Sequence, residues 1–162
     1  MENMTELYEQ RVLQQLKATG HRITGARRAI VSALVSDQRP LGPQEVQTAA
    51  QAYHPGVGLV TVYRTLEALI ALGVVQKVHG QEGCQGYVFT GYGHRHVAVC
   101  RRCGRVFIFE GAEDLSALEG KLERDLHFHV EGHLLQFTGI CARCQLSDEE
   151  HHISDITEES AQ

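Results

Sequence analysis

Two Cys-x-x-Cys pairs, Cys100/Cys103 and Cys141/Cys144, stand 37 residues apart, and no other feature limits the fold of this chain as tightly. A two-residue gap lets a turn aim both thiolates at one cation. Two such turns supply the four sulfurs of a closed tetrahedral zinc site. The alternative, a pair of redox dithiols, calls for a thioredoxin-like βαβ setting, which the surrounding pattern lacks, and Gly104 directly follows the first pair. Four protein sulfurs leave no position for a substrate, so this Zn2+ is expected to be structural. Binding energy on the order of 10 kcal/mol or more then decides whether the segment around it folds at all.

At 162 residues the chain has room for one ordinary domain or two small ones, which excludes a multi-domain enzyme. No stretch approaches the roughly 20 consecutive apolar residues of a membrane helix, and Met1-Glu2-Asn3-Met4-Thr5-Glu6 is acidic where a signal peptide is basic and then apolar. The expected compartment is the cytoplasm, with no membrane partner. In that setting five cysteines and ten histidines read as metal ligands or redox groups rather than a disulfide framework. The net charge of −5 argues at first against nucleic acid. Six acids and no Lys or Arg fall within 146–162, however, while residues 1–80 carry eight basic against six acidic side chains. A DNA-binding face is therefore permitted in the first half of the chain.

Along the chain, Leu7, Val12, Leu13 and Leu16 form a loose helical stripe that stops at Gly20. Thr24 is a natural N-cap for a second helix with Ala26, Ala29, Ile30, Ala33 and Leu34 inward. Pro40 and Pro43 force a turn, and Pro43 suits the first turn of a third helix ending near Tyr53. A fourth helix follows from Val60 to Leu72, with Val62, Leu66, Leu69 and Ile70 on one face and Thr61, Tyr63, Arg64, Thr65 and Glu67 pointing elsewhere. Two β-like runs, 74–79 and 86–90, flank a Gly-rich turn, so the last three helices and this hairpin read as a winged helix-turn-helix. Beyond residue 91 the pattern becomes that of a small α/β unit: strands over 94–100, 105–109 and 134–140, and a helix striped by Leu115, Leu118, Leu122 and Leu126. About 55 residues of modest apolar content commonly need a metal staple or a partner. The acidic stretch 146–162 reads as a disordered tail.

A strand places His94, His96, Ala98 and Cys100 on one face, and His133 opens the strand leading to the second cysteine pair. A second metal site of His94, His96 and His133 with a carboxylate from the 113–119 region is therefore geometrically cheap. Cys84 and His79 lie in or beside the hairpin. Together with His94 or His96 they offer an alternative N/S site straddling the two units, whose donors suit Zn2+ better than Mn2+.

Gly20-His21-Arg22-Ile23-Thr24-x-x-Arg27-Arg28-x-Ile30, Thr61-Val62-Tyr63-Arg64-Thr65-Leu66, the histidines before Cys100-x-x-Cys103-Gly104, and His133-x7-Cys141-x-x-Cys144 together resemble the ferric uptake regulator superfamily over residues 10–145. The resemblance implies an α+β fold: a winged helix-turn-helix DNA-binding domain over 1–90, then a small α/β dimerisation and metal-binding domain over 91–145 stapled by the four-cysteine zinc, one per subunit. It implies a homodimer that binds double-stranded operator DNA when a regulatory metal is present, repressing metal-uptake genes, with no small organic substrate. On the matching positions, Thr61, Tyr63 and Arg64 fall on the helix that reads DNA. Arg22, Arg27 and Arg28 fall where phosphate or minor-groove contacts are made.

Departures from the family pattern bear on the metal. The turn before the third helix, Arg39-Pro40-Leu41, carries no histidine, and Val97 stands three residues before Cys100 where many relatives have one. The family's carboxylate position falls near Ser116, so Glu113 or Glu119 must serve or the second site is altered. His79 and Cys84 are similar to the ligands that zinc-uptake regulators recruit. Regulatory Zn2+ is therefore expected, with Fe2+ or Mn2+ as alternatives. A zinc deaminase needs a His-x-Glu motif ahead of Pro-Cys-x-x-Cys; neither cysteine pair here follows Pro, and His94-x-His96 lacks the Glu, so the chain is not expected to be an enzyme.

Overall fold

The computed structural model describes residues 2–80 and 83–146, with side chains over 4–79 and 86–146. The expected disordered tail from residue 147, with His151 and His152, and the side chain of Cys84 lie outside the described residues. The elements run α1 (Glu2–Ala18), α2 (Gly25–Ser36), α3 (Pro43–Gln51), α4 (Leu59–Ala71), β1 (Val75–Gly80), β2 (Gly83–Phe89), β3 (Arg95–Cys100), β4 (Val106–Glu110), α5 (Ser116–Leu126) and β5 (Gln136–Gly139). No helix among the described residues is long and apolar enough to cross a membrane.

Local chemistry sets the helix ends. The Thr24 hydroxyl accepts the Arg27 N–H at 3.2 Å to start α2, and the Gly42 N–H donates to Glu45 at 2.7 Å to start α3. Gly73, at a φ of +70°, closes α4 in a conformation that penalises side chains with a Cβ. The four helices bury Leu16, Ile30, Leu34, Val46, Val62, Leu66 and Leu69 in one core. Thr65 corrects the sequence reading: it faces inward and is fully buried. Its hydroxyl donates to the Thr61 carbonyl at 2.7 Å, which lets a polar side chain sit on the core face of α4.

β1 and β2 form the antiparallel hairpin, with a register shift between Val78 and His79. Leu41, in the turn before α3, exchanges both backbone hydrogen bonds with Tyr87 at 2.9 Å. That approach requires Gly86, where a Cβ would lie 2.8–2.9 Å from the Leu41 backbone. The second sheet has the order β4-β3-β5, with β3 antiparallel to β4 and parallel to β5. A parallel neighbour needs a crossover, and the segment through α5 supplies it. The hairpin packs on both sides: Tyr87 and Val75 join the helical core, while Val78 and Val88 pack with Val97 and Val99 of β3.

The stripe expected on α5 is present but uncovered. Leu118 and Leu126 are 53% and 67% exposed, and no residue of α5 is buried. Phe107, Phe109 and Phe137 of the neighbouring strands are exposed as well.

Candidate metal centres and nucleic-acid face

Parallel pairing of β3 with β5 sets Cys100 opposite Gly139, so the two cysteine turns leave the sheet side by side. The Gly104 N–H returns to the Cys100 carbonyl at 2.9 Å, which its φ of +70° permits. All four Sγ atoms lie within 4.8 Å of one another. A tetrahedron with Zn–S bonds near 2.3 Å separates its sulfurs by about 3.8 Å. The Cys103–Cys141 separation is 3.8 Å, the spacing of zinc ligands and far beyond a disulfide bond. The Cys141 and Cys103 backbone N–H groups, the former at 3.4 Å, bring Cys100 down to about 6, whereas removal from water and the neighbouring thiols push Cys144 up to about 12. Cys100 is thus readier than Cys144 to meet a cation. Cys144 gives up its proton as the cation arrives.

The second group assembles on the opposite end of β3. His96 projects from that strand and His94 stands just before it, Glu113 arrives on the loop after β4, and His133 comes from the segment before β5. One oxygen, Glu113 Oε1, lies 2.6 Å from His94 Nε2, 2.5 Å from His96 Nε2 and 2.9 Å from His133 Nε2. The His94 contact, then the residue's own backbone N–H, with His96 and His133 adding to them, hold the Glu113 carboxyl far below the ordinary carboxylate range. His96 is buried, His94 half-open to solvent, and the donor set is three imidazole nitrogens and one carboxylate oxygen. These residues fit a divalent metal: a tetrahedral ion with bonds of about 2.0–2.1 Å spaces such ligands by roughly 3.3 Å, less than about 1 Å beyond the distances here.

Gly111 is a site residue that the sequence reading missed. Its N–H donates to the His94 carbonyl at 2.8 Å, and a Cβ there would sit 2.3 Å from His94 and 2.4 Å from His96 Nε2. His94 can swing into solvent, but buried His96 cannot. Gly111→Ala is expected to weaken metal binding at this group by at least about tenfold in a competition titration, while cysteine-bound zinc stays at one per chain.

Among the remaining candidates, Glu119 is exposed on α5 and takes no part in the cluster. His79 is exposed and stands apart from it too. Its backbone pairs across the hairpin with that of Cys84, whose side chain lies outside the described residues, while His94 and His96 turn toward Glu113 and His133. On the helical lobe, Tyr63 and Arg64 are exposed on α4 and Thr61 is half-buried beside them. Arg22 and Arg28 are exposed. Arg27 is committed elsewhere, donating to the Arg22 carbonyl at 2.7 Å and reaching the Thr65 hydroxyl at 3.5 Å, so it braces the segment that carries Arg22.

The sequence profile described as "Ferric uptake regulator family" matches residues 18–138. The "Ferric uptake regulation protein" of Bacillus subtilis (strain 168) is 37% identical over 140 residues, covering 83% of this chain and 92% of that protein. A "Peroxide-responsive repressor PerR" of Staphylococcus aureus is 26% identical over 133 residues, 82% of this chain and 88% of that one. Among solved structures, "Zinc Uptake Regulator Complexed With Zinc AND DNA" superposes with a TM-score of 0.71 at 21% identity, covering 90% of this chain and 97% of that chain.

Proposed function

Because the chain belongs to the ferric uptake regulator family, we propose that it is a metal-dependent transcriptional repressor that binds operator DNA as a homodimer and controls metal-uptake genes. The observation that carries this reading is the convergence of three Nε2 atoms on Glu113 Oε1, a preassembled cation site at the junction with the hairpin. Cys100, Cys103, Cys141 and Cys144 hold a structural Zn2+. His94, His96, Glu113 and His133 hold the regulatory ion. Bound there, the ion supplies charge and a fixed geometry, and the protein supplies the consequence. By linkage, whatever affinity metal adds for DNA, DNA returns to the metal.

The uncovered apolar side chains of α5, β4 and β5 support the dimer, since Leu118, Leu126, Phe107 and Phe137 are large groups that a second copy buries. Tyr63 and Arg64 supply base contacts from α4, with Thr61 beside them. Arg22 and Arg28 supply phosphate contacts, and Arg27 holds Arg22 in place. A cytoplasmic regulator of this kind needs no membrane and no organic substrate.

Zn2+ is the regulatory ion in this reading, supported by three borderline imidazoles and one carboxylate closing on one point, a four-ligand set that zinc accepts. The iron reading is favoured by the 37% identical relative named for ferric uptake. The test is duplex binding by zinc-stapled protein with and without added Zn2+, Fe2+ or Mn2+. The expected result is specific binding with Zn2+ at the lowest free concentration. Equal binding with and without any added metal overturns the repressor switch. Arg64→Ala is expected to lower affinity for the selected duplex by about 5- to 150-fold in a gel shift, with dimer sedimentation unchanged.

A further inference from the structure

A metal held by β3 and by the segment before β5 has to be felt by the winged unit, and no metal ligand in the cluster belongs to that unit. We propose that Gln136 is the positioning residue that couples occupancy of the His94/His96/Glu113/His133 site to the placement of the hairpin, through a two-point clamp on the backbone of His79. This rests on the metal-responsive reading above.

Gln136 Nε2 donates to the His79 carbonyl at 2.6 Å, and the His79 N–H donates to Gln136 Oε1 at 2.9 Å. One side-chain amide thus satisfies a donor and an acceptor of β1 as a neighbouring strand does. The clamp closes where β1 loses register with β2, between Val78 and His79, at the point where the hairpin is least held by its own ladder. Its other end is tied to the metal group. Gln136 opens β5, pairs in parallel with Val97, and follows His133 by three residues. β5 is only four residues long, so its register depends on what anchors its leading segment. Drawing His133 onto the same ion as His94 and His96 anchors that segment to β3 and sets Gln136 over His79.

A second stitch runs the same way. Gln76 Nε2 donates to the Arg95 carbonyl at 2.7 Å, and Arg95 stands between His94 and His96. β1 is therefore gripped at Gln76 and at His79 by the two segments that the metal draws together. Between the stitches Val78 packs against Val97 and Val99, so a shift of β3 or β5 is passed to the hairpin as a rigid displacement.

The test uses full-length, zinc-stapled protein with Co2+ as probe, because its visible absorption reports occupancy of the histidine site directly. The duplex is one selected from a random pool by the Co2+-loaded wild type. In the wild type, Co2+ is expected to slow hydrogen exchange at the His79 amide. In Gln136→Met, Co2+ uptake without DNA is expected to stay within about threefold of wild type, the Co2+-dependent gain in duplex affinity to fall at least about tenfold, and His79 exchange to ignore the metal. Gln76→Met, which leaves the clamp in place, is expected to lose part of the gain and serves as the second variant if Gln136→Met fails to fold. A static tie leaves His79 exchange independent of Co2+ in the wild type, and that result overturns the proposal, as does a Gln136→Met chain with the full gain. A wild type that slows His79 exchange on Co2+ uptake yet gains no DNA affinity overturns the regulator reading while supporting the clamp.

Discussion

Cys141→Ser is expected to unfold the β4-β3-β5 sheet outright, with loss of zinc, of dimer and of the strand part of the circular dichroism spectrum, while α1–α4 keep their helical signal. The strands concerned are five, six and four residues long, and α5 buries none of its residues. The shared cluster of Val78, Val88, Val97 and Val99 is small beside the helical core. Against that, Zn2+ binding energy on the order of 10 kcal/mol matches the whole stability of a typical domain, roughly 5–15 kcal/mol. Three remaining thiols leave one coordination position to water, and the unit they staple loses its main source of stability. Prolonged treatment of the wild type with a strong chelator is expected to give the same spectrum, reversed by Zn2+. A variant that melts as the wild type does, with the sheet intact, would falsify the staple.

The parts of this molecule visible in its sequence are those where a short local pattern carries the physics. Thr24 and Gly73 announce helix ends, and Cys-x-x-Cys spacing announces convergence of sulfurs, because each depends on neighbours a few residues away. The strand alternation likewise places His94 and His96 on one face. What the pattern leaves open depends on tertiary register. Glu113 and Glu119 are equivalent as sequence, and only the path of the loop from β4 into α5 brings Glu113 Oε1 among the imidazoles. Thr65 looks like a solvent residue until its hydroxyl finds the Thr61 carbonyl. His79 looks like a ligand by type, yet it enters the fold through its backbone, held by Gln136 from 57 residues away. Gly111 looks like loop punctuation, whereas its missing Cβ is what leaves room for His96.

Glu113→Gln is expected to lower affinity for the regulatory metal by at least about 100-fold and, with it, to leave duplex binding weak at any tolerated metal concentration. Gln keeps the length and one carbonyl oxygen, so the loop after β4 and the hydrogen bonds to His94, His96 and His133 survive in part. What disappears is the negative charge, the only one the cluster offers a divalent cation, and with it the reason three imidazoles face one point. The contacts that hold this carboxyl far below its usual range describe an anion stabilised by surrounding N–H donors. A cation entering the same hub takes over the role of those donors, moving Glu113 Oε1 from 2.5–2.9 Å toward about 3.3 Å from the imidazole nitrogens. Glu119→Gln is the matched control, expected to bind metal as the wild type does, since that side chain stands on the exposed side of α5. Competition titration with a chromophoric chelator reads both. If Glu119→Gln loses the metal and Glu113→Gln keeps it, the loop rearranges on loading and the site is built differently. If both variants keep it, the ion is held by imidazoles alone and Glu113 serves only to pair them before it arrives.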